Sequence, residues 1–354
     1  MSPARPDSAS VAAPTARGTH ATIHDVARVA GVSVASVSRV FNGRDHVRAE
    51  MRARVEQAAA QLGYVPHAGA RSLSMARTGA MGVVLPDLHG EFFSELLRGM
   101  DREASRRGLG LLLTVLHDGR GLDTLAALRG QVDGLMVMAP ELDPAILARH
   151  MPRGLASVFL ACIPQDGSPS LRIDNRAGAA AAVAHLAAGG AKRIVHISGP
   201  AGNLDALERR AGAEAAAAAA GVALTVIEGD FHEGSGAAVG ESVAAGTLEA
   251  DAIFAANDMM AIGALMALKR HGVAVPGQVA IVGFDDIPLS RLVSPALTSV
   301  AIDIAAMGAR AVAQLAARIT AAREGFLEST STGADETIVP HLMVRETTRE
   351  TDRG

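Results

Sequence analysis

Cysteine and aromatic residues are scarce in this sequence. Its 354 residues include one cysteine, Cys162, one tyrosine and no tryptophan. A single cysteine excludes an intrachain disulfide bond and is typical of a reducing compartment. We interpret Cys162 as a small buried residue at the end of a strand, with a reactive thiol as the alternative. Because 49% of the residues are hydrophobic, aliphatic side chains can still build the cores of the two or three domains that this length predicts.

Long hydrophobic runs are missing as well. Residues 1–20 lack the apolar run of a signal peptide, and their Ser, Pro and Ala content predicts a disordered leader. The most apolar later stretches carry acidic or amide side chains inside any window of about 18 residues, so we expect no membrane span. These absences predict a cytoplasmic protein.

Sequence motifs of catalysis are also missing. The chain has no Cys/His spacing typical of a metal site, no Walker motif and no GxSxG motif. The segment GSGAAVG at residues 234–240 comes near a dinucleotide-binding loop, but its spacing is wrong and the start of a helix explains it better. We therefore expect no catalytic residue, no metal and no cofactor.

Positive charge is concentrated at the N-terminal end. Residues 1–78 contain ten arginines and five acidic residues, a net charge of +5, and with a total of −4 the remainder carries −9. A basic segment before an acidic body indicates a module that binds a polyanion. A solvated basic surface is the alternative that charge alone leaves open.

Three short helical segments follow the leader. Thr22 is suited to cap the first, Gly31 to end it and Ser33 to cap the second, and a longer third helix is predicted from about Arg48 to Leu62. Two short helices joined by a three-residue turn and braced by a third form the helix-turn-helix arrangement, which places its second helix in the major groove of DNA.

Two segments in this region, TIHDVARVAGVSVASVSRVFNG and HVRAEMRARVEQAAAQLGYVPHAGARSL, carry a more specific signal. Over them the chain resembles the DNA-binding head of the lactose-repressor (LacI/GalR) family of transcription regulators. The resemblance implies a helix-turn-helix domain at residues 21–66 and a hinge helix at residues 67–78 that touches the minor groove. The residues expected to contact DNA are Thr22, Ser33, Val34, Ala35, Ser36, Ser38, Arg39, Asn42, His46, Arg71 and Leu73.

These residue types suit different DNA contacts. Val34 and Ala35 stand at the N-terminal end of the second helix, and their apolar side chains are expected to contact thymine methyl groups. Arg39 could reach bases or phosphates, and the short polar side chains suit phosphates. By the resemblance, Leu73 wedges into the minor groove. Packing of Leu73 on the core of the head is the alternative.

After Thr78 the pattern changes to alternating strands and helices. Apolar runs such as GLMVM, SVFLA, DAIFAAND and VAIVGFDD do not alternate with polar residues, which indicates parallel strands buried on both faces. About eleven such units exceed one open sheet, so we expect an α/β body of two parallel-sheet lobes. This body resembles the type I periplasmic-binding-protein fold that the same family carries as its regulatory domain.

The resemblance implies boundaries within the body. It predicts an effector-binding and dimerisation domain at residues 79–346 and a tail at residues 347–354. Crossovers near Asp174, Ile302 and Glu336 would divide the domain into a first lobe of about 79–173 and 303–335 and a second lobe of about 174–302 and 336–346. The segment LHDGRGLDTLAALRGQ is shorter than the family usually shows, which predicts a stunted helix there.

Polar side chains follow several of the predicted strands. Because ligands of open α/β sheets bind beyond the carboxyl ends of the strands, the candidates are Asp87, Asp174, Asn257, Asp258, Asp285 and Asp286. Carboxylates and amides there suit the hydroxyl groups of a polyol. Asp258 is better explained as the N-cap of the next helix, whereas the resemblance places Asn257 and Asp285 at an effector pocket.

The resemblance completes the expected pocket. The effector-binding residues that it predicts are Phe92, Phe93, Asn203, Asp205, Arg209, Phe231, Asn257 and Asp285. The guanidinium of Arg209 would offer paired donors to sugar oxygens or a carboxylate, with Arg210 as the competing candidate. The phenylalanines would offer ring faces, although one of Phe92 and Phe93 could be a core residue.

Three classes of protein compete at this point. A ligand-responsive DNA-binding regulator explains both halves of the chain, a solute-binding protein explains the body but needs export, and an α/β enzyme explains only the sheets. We therefore expect a homodimeric repressor that reads palindromic DNA and binds an effector, in this family most often a sugar, between its lobes. Whether the effector releases the protein from DNA or strengthens DNA binding stays open. A tetramer stays open too, although no C-terminal heptad repeat is seen.

Overall fold

The computed structural model describes residues 21–41, 47–65, 77–116, 121–164, 167–324 and 335–349. The chain divides after Thr78 into two compact units. The predicted leader lies outside the described residues, as do four of the predicted DNA contacts: Asn42, His46, Arg71 and Leu73.

Three helices form the described part of the N-terminal unit: α1 (Ile23–Ala30), α2 (Val34–Phe41) and α3 (Ala49–Leu62). Thr22 and Asp25 form a capping box at the start of α1: the Thr22 hydroxyl accepts the Asp25 N–H at 3.4 Å, and the Asp25 carboxylate accepts the Thr22 N–H at 3.0 Å. Gly31 ends α1 with a φ of 63°, which glycine adopts at no steric cost. The predicted start of α1 at Thr22 and its predicted end at Gly31 are confirmed.

The three helices share a small apolar core. Each helix contributes one fully buried valine: Val26 in α1, Val37 in α2 and Val55 in α3. Ala27, also buried, is small enough for α1 to pack closely in this core. Two short helices joined at Gly31 and braced by a longer third helix confirm the helix-turn-helix arrangement.

The second unit is an α/β body. In chain order its strands are β1 (Ala80–Leu85), β2 (Gly110–Val115), β3 (Gly134–Met138), β4 (Ala156–Leu160), β5 (Ser170–Ile173), β6 (Arg193–Ser198), β7 (Ala223–Glu228), β8 (Ala252–Ala255), β9 (Ala280–Asp285), β10 (Thr298–Ala301), β11 (Glu336–Ile338) and β12 (His341–Met343). Its described helices are α4 (Glu91–Arg106), α5 (Asp123–Ala127), α6 (Pro144–His150), α7 (Asn175–Ala188), α8 (Leu204–Ala220), α9 (Glu233–Ala244), α10 (Asp258–Arg270) and α11 (Ile304–Arg323), and a 3-10 turn lies at Pro288–Arg291.

The described strands of this body form two six-stranded sheets. The first has the spatial order β11-β5-β4-β3-β1-β2, and the second has the order β12-β10-β9-β8-β6-β7. All their pairings are parallel except that between β10 and β12. Every residue of the central strands β3, β4, β8 and β9 is buried. The expectation of two parallel-sheet lobes, built from strands covered on both faces, is confirmed.

Three crossings join the lobes. The chain leaves the first lobe after β5, returns with α11 after β10, and crosses again through residues 339–340 between β11 and β12. Because Glu336–Ile338 pairs with β5 in the first sheet, the prediction that the second lobe resumes at residue 336 was wrong. Strands of three residues are too short to show a side-chain period, and the sequence pattern could not assign them to a sheet.

The predicted tail also begins too early. Thr347 is completely buried, its carbonyl accepts the Ile281 N–H at 2.8 Å, and its hydroxyl accepts the Thr298 N–H at 2.8 Å. Residues 347–349 are therefore part of the second lobe. The stunted helix is present as α5, which has five residues.

Glycines bring two pairs of helices into close contact. A Cβ atom at Gly236 of α9 would lie 1.9 Å from the Met260 carbonyl oxygen of α10, and one at Gly99 of α4 would lie 1.9 Å from the Ala305 carbonyl oxygen of α11. These helix pairs pack backbone against backbone. No described helix has both the length and the apolar character that crossing a membrane requires.

Candidate functional site

A cavity of about 510 Å³ lies between the two lobes of the body. Its walls include residues that follow β1 and β3 in the first sheet and β6, β7 and β8 in the second, so it occupies the carboxyl ends of both sheets. All eight of the expected effector residues line it: Phe92, Phe93, Asn203, Asp205, Arg209, Phe231, Asn257 and Asp285. Their role in binding an effector stays a prediction.

The guanidinium group of Arg209, in α8, has protein partners on every side. The side chain is 4% exposed. Its Nε donates to Asn175 Oδ1 at 2.8 Å, its Nη1 donates to the Ala256 carbonyl, and its Nη2 lies 3.5 Å from Asp285 Oδ1. The guanidinium carbon also lies 3.7 Å from the centre of the Phe284 ring. A buried charge needs such partners, and they fix the guanidinium at the cavity wall.

Arg210, the competing candidate, is exposed, and its Nε donates to Glu214 Oε1 at 2.7 Å. It does not line the cavity. Asp205 lies one helical turn before Arg209, on the same face of α8, and accepts a hydrogen bond from Asn175 Nδ2 at 2.8 Å. Burial raises the pKa of Asp205 above its usual value. The i, i+4 spacing of Asp205 and Arg209 was the sequence signal that could have favoured Arg209 over its neighbour.

Asp285 ends β9 in an unusual conformation. Its φ is 105°, in the region that glycine favours, and its side chain is 5% exposed. Burial raises its pKa to about 8, against the opposing effect of the Arg209 charge. Asp285 Oδ1 accepts no hydrogen bond from the residues that the structure describes. A buried acceptor without a partner at a cavity wall is a position for a donor on a ligand.

Asn257, not Asp258, caps α10. The Asn257 side-chain oxygen accepts an N–H from the first turn of the helix at 3.0 Å. Asp258 is fully buried and accepts the Ile287 N–H at 2.9 Å and the hydroxyls of Ser290 and Ser299 at 2.6 Å each. The prediction of an Asp258 cap was wrong because these three partners come from later segments that reach Asp258 only in the folded lobe. Burial raises the Asp258 pKa to about 7.

The remaining strand-end carboxylates have different roles. Asp87 lines the cavity after β1. Asp174 caps α7 by accepting the Ala177 N–H at 3.0 Å. Asp286 forms an ion pair with Arg345 at 2.6 Å. Only some of the carboxylates that directly follow a strand therefore line the cavity.

Two amide side chains at the cavity are already engaged. Asn203 caps α8 through its oxygen and donates from Nδ2 to Glu141 Oε1, in the other lobe, at 3.2 Å. Asn257 donates from Nδ2 to the Phe231 carbonyl at 2.8 Å. A second contact between the lobes joins the Leu204 N–H to the Pro140 carbonyl at 3.0 Å. No sequence pattern indicates Glu141, because its hydrogen-bond partner Asn203 lies in the other lobe.

Aromatic rings enter the cavity from both lobes. Phe92 and Phe93 of the first lobe pack edge to face, with ring centres 5.4 Å apart, and both line the cavity. Phe231 of the second lobe has a φ of 68°, and a Cβ atom at Gly199 would lie 2.2 Å from its ring. His89 and His232, which no sequence pattern indicated, also line the cavity.

The N-terminal unit carries the second candidate surface, on α2. Ala35 and Arg39 are exposed there, and the half-buried Val34 packs partly on the head core. Ser33 caps α2: its hydroxyl accepts the Ser36 N–H at 3.2 Å, and the two hydroxyl oxygens lie 2.9 Å apart. Ser36 and Ser38 are half-buried, and Thr22 is exposed.

Family models match both units of the chain. Residues 22–67 match the model described as bacterial regulatory proteins, lacI family, and residues 183–348 match the model described as a periplasmic binding protein-like domain. The ribose operon repressor of Escherichia coli (strain K12) is 34% identical over 310 residues, which are 85% of this chain and 93% of that protein.

Solved structures agree with these matches. The lac repressor dimer bound to operator and the anti-inducer ONPF has a TM-score of 0.80 and 27% identity, covering 94% of this chain and 100% of that one. The complex of the transcriptional regulator CelR with cellobiose has a TM-score of 0.67 and 31% identity, covering 92% of this chain and 99% of that one. The chain thus belongs to the lacI family of bacterial regulatory proteins.

Proposed function

We propose that this protein is a transcriptional repressor that binds a palindromic operator as a homodimer and responds to a sugar bound between the lobes of its body. Its relatives include a ribose operon repressor, and its structural neighbours include a regulator bound to cellobiose and a repressor dimer bound to operator. Both units of the chain take part in this function, which is regulatory rather than enzymatic. Such a protein acts on DNA in the cytoplasm.

The observation that carries the sugar proposal is the pairing of Arg209 with Asp285 at the cavity wall. The carboxyl oxygen of Asp285 lacks a hydrogen-bond partner among the described residues, and the guanidinium is held rigidly beside it. Vicinal hydroxyl groups can donate to a carboxyl oxygen and accept from a guanidinium. Phe92 and Phe231 supply apolar ring faces from opposite lobes for the C–H surface of a sugar ring.

A ligand in this position couples the lobes. Phe92 and Phe93 come from the first lobe, whereas Arg209 and Asp285 come from the second. A sugar that contacts both sets binds best when the lobes approach each other, and it therefore shifts their arrangement toward that state. The arrangement of the lobes in turn affects DNA binding. If the bound sugar changes the affinity for operator DNA by a given factor, bound DNA changes the affinity for the sugar by the same factor.

We further propose that α2 recognises the base sequence of the operator. Ala35 is exposed and Val34 half-exposed at its N-terminal end, where they can contact thymine methyl groups, and Arg39 is exposed for a base or a phosphate. Asn42, His46 and the hinge residues Arg71 and Leu73 complete this proposal. We further propose that Leu73 wedges into the minor groove.

A thermal-shift screen of sugars tests the proposal, with ribose, galactose, cellobiose and lactose as first probes. A sugar at about 100 times its Kd adds about 2.7 kcal/mol, which raises the Tm of a body of this size by roughly 5 to 10 °C. The variant Arg209→Lys should lose most of this shift, because an ammonium cannot replace the planar donor pair. Arg210→Lys, changed at the exposed neighbour, is the matched control and should keep it.

DNA binding is tested with the operator recovered by binding-site selection on the full chain. The sugar from the screen should change operator affinity in the wild type and not in Arg209→Lys. Failure of every sugar to shift the Tm would reject the sugar class. Recovery of no preferred palindromic sequence would reject the repressor.

A further inference from the structure

Three potential metal ligands from two separate segments meet at the edge of the cavity. His89 lies in the first lobe, in the loop between β1 and α4. His232 and Glu233 lie in the second lobe, where His232 is the N-cap residue of α9 and Glu233 is its first residue. His89 and His232 both line the cavity. The cluster therefore spans the gap between the lobes.

The distances in this cluster are short. One ligating atom from each of His89, His232 and Glu233 can be chosen so that all three lie within 4.8 Å of one another. The His89 Nε2 lies 3.0 Å from Glu233 Oε2, and the two imidazole rings have centres 4.1 Å apart. A tetrahedral metal ion with bonds of about 2.0 to 2.2 Å holds its ligand atoms about 3.3 to 3.6 Å apart, so shifts of roughly 1 Å bring these three atoms to that separation.

The side chains have the freedom to complete such a site, while the loop that carries two of them is fixed. The side chains of His89 and Glu233 are 40% and 56% exposed, so small rotations can bring their ligating atoms closer. The Asp230 carboxylate accepts the His232 N–H at 2.9 Å and the Ser235 hydroxyl at 2.6 Å, which holds the loop before α9.

We propose that His89, His232 and Glu233 bind one Zn²⁺ ion that links the two lobes at the edge of the cavity. Two imidazoles and one carboxylate form a donor set typical of zinc, whereas Mg²⁺ and Ca²⁺ prefer all-oxygen sites. Three protein ligands leave one position of a tetrahedral ion for water. The ion holds the lobes together through bonds to each, and this inference does not depend on which ligand the cavity binds.

Chain spacing could not reveal this site. His89 and Glu233 are 144 positions apart, so no short motif joins them. The expectation from the sequence, that the chain binds no metal, rested on such motifs. The folded body brings the residues together because the loops after β1 and β7 face each other across the cavity.

Calorimetric titration of the full chain with Zn²⁺ tests the proposal. The wild type should bind one ion per chain with saturable heat. His89→Gln and His232→Gln should each weaken this binding by at least about 10- to 100-fold, because loss of a direct ligand costs no less than loss of the outer partners that orient ligands. His271→Gln, which changes an exposed histidine at the end of α10, is the matched control and should bind as the wild type does.

A second measurement tests the link between the lobes. Zn²⁺ should raise the Tm of the wild type and of His271→Gln but not that of His89→Gln, whose only missing ligand is the one from the first lobe. If His89→Gln keeps the wild-type affinity while His232→Gln loses it, the ion lies within the second lobe and the link is rejected. If both variants bind as the wild type does, or the wild type shows no saturable binding, the site itself is rejected.

Discussion

Replacement of Asp285 by asparagine should reduce the pH dependence of folding of the body. The Asp285 carboxyl has a pKa of about 8 in the folded protein, because burial opposes its charge, against an ordinary value of 3.8. The folded protein therefore binds this proton more tightly than the unfolded chain does. Its contribution to stability is complete below an unfolded pKa of about 4 and is lost as the pH rises through the folded value.

The size of the effect follows from this window. Between pH 5 and pH 7 the unfolded chain has lost the proton while the folded protein still holds it, so the free energy of unfolding falls by about 1.4 kcal/mol per pH unit. Over two units this is roughly 3 kcal/mol, which corresponds to a fall in Tm of about 5 to 10 °C. Asp285→Asn has no proton to lose, and its Tm should fall by that much less over the same interval.

Scanning calorimetry of the wild type and Asp285→Asn at a series of pH values measures this difference. An equally steep fall in both proteins would refute the reasoning, since it would mean that Asp285 is ionised in the folded state. Asp285→Ala should bind the sugar found in the screen about 10- to 100-fold more weakly, because it leaves hydroxyl groups of the ligand without a partner at the buried cavity wall, which costs about 1 to 3 kcal/mol. Asp258→Asn, changed at a buried carboxyl outside the cavity, should leave sugar affinity unchanged.

Further variants test the packing, the thiol and the DNA surface. Gly236→Ala should lower the free energy of unfolding by roughly 1 to 3 kcal/mol in urea, whereas Gly234→Ala on the same helix, where the added methyl meets open space, should not lower it. Cys162, whose pKa burial raises to about 12, should resist iodoacetamide in the native protein at mildly alkaline pH and react after denaturation; rapid native alkylation would contradict this. Replacing Val34 and Ala35 together should change the sequence recovered by binding-site selection, and an unchanged operator would reject their role.

The fold could be predicted from the sequence where the pattern is local. The caps at Thr22 and Gly31 depend on residues within one helical turn, and the buried strands GLMVM and DAIFAAND show their environment in their own composition. The presence of two lobes could also be predicted, because so many buried strands cannot share one open sheet. The eight residues expected at the cavity were also brought together, but that expectation came from the family resemblance, and composition alone did not supply it.

Interactions between distant segments were beyond the sequence pattern. Asp258 resembles a helix cap when only its neighbours in the chain are considered, yet its hydrogen bonds come from Ser290, Ser299 and the Ile287 N–H. The tail assignment failed for a similar reason, because Thr347 is buried by partners some fifty residues or more earlier in the chain. A polar residue at the end of an element has several possible partners, and the folded structure selects among them.

The last two strands also determine when the body can finish folding during synthesis. β11 and β12 are separated by two residues, yet they close the edges of different sheets, one beside β5 and the other beside β10. Until the ribosome has made this segment, each sheet lacks one of its six strands, so both lobes are completed at nearly the same point of synthesis. The helix-turn-helix unit has its own core within the first 78 residues and can form long before that. A nascent chain can therefore carry a folded helix-turn-helix unit before its α/β body is complete.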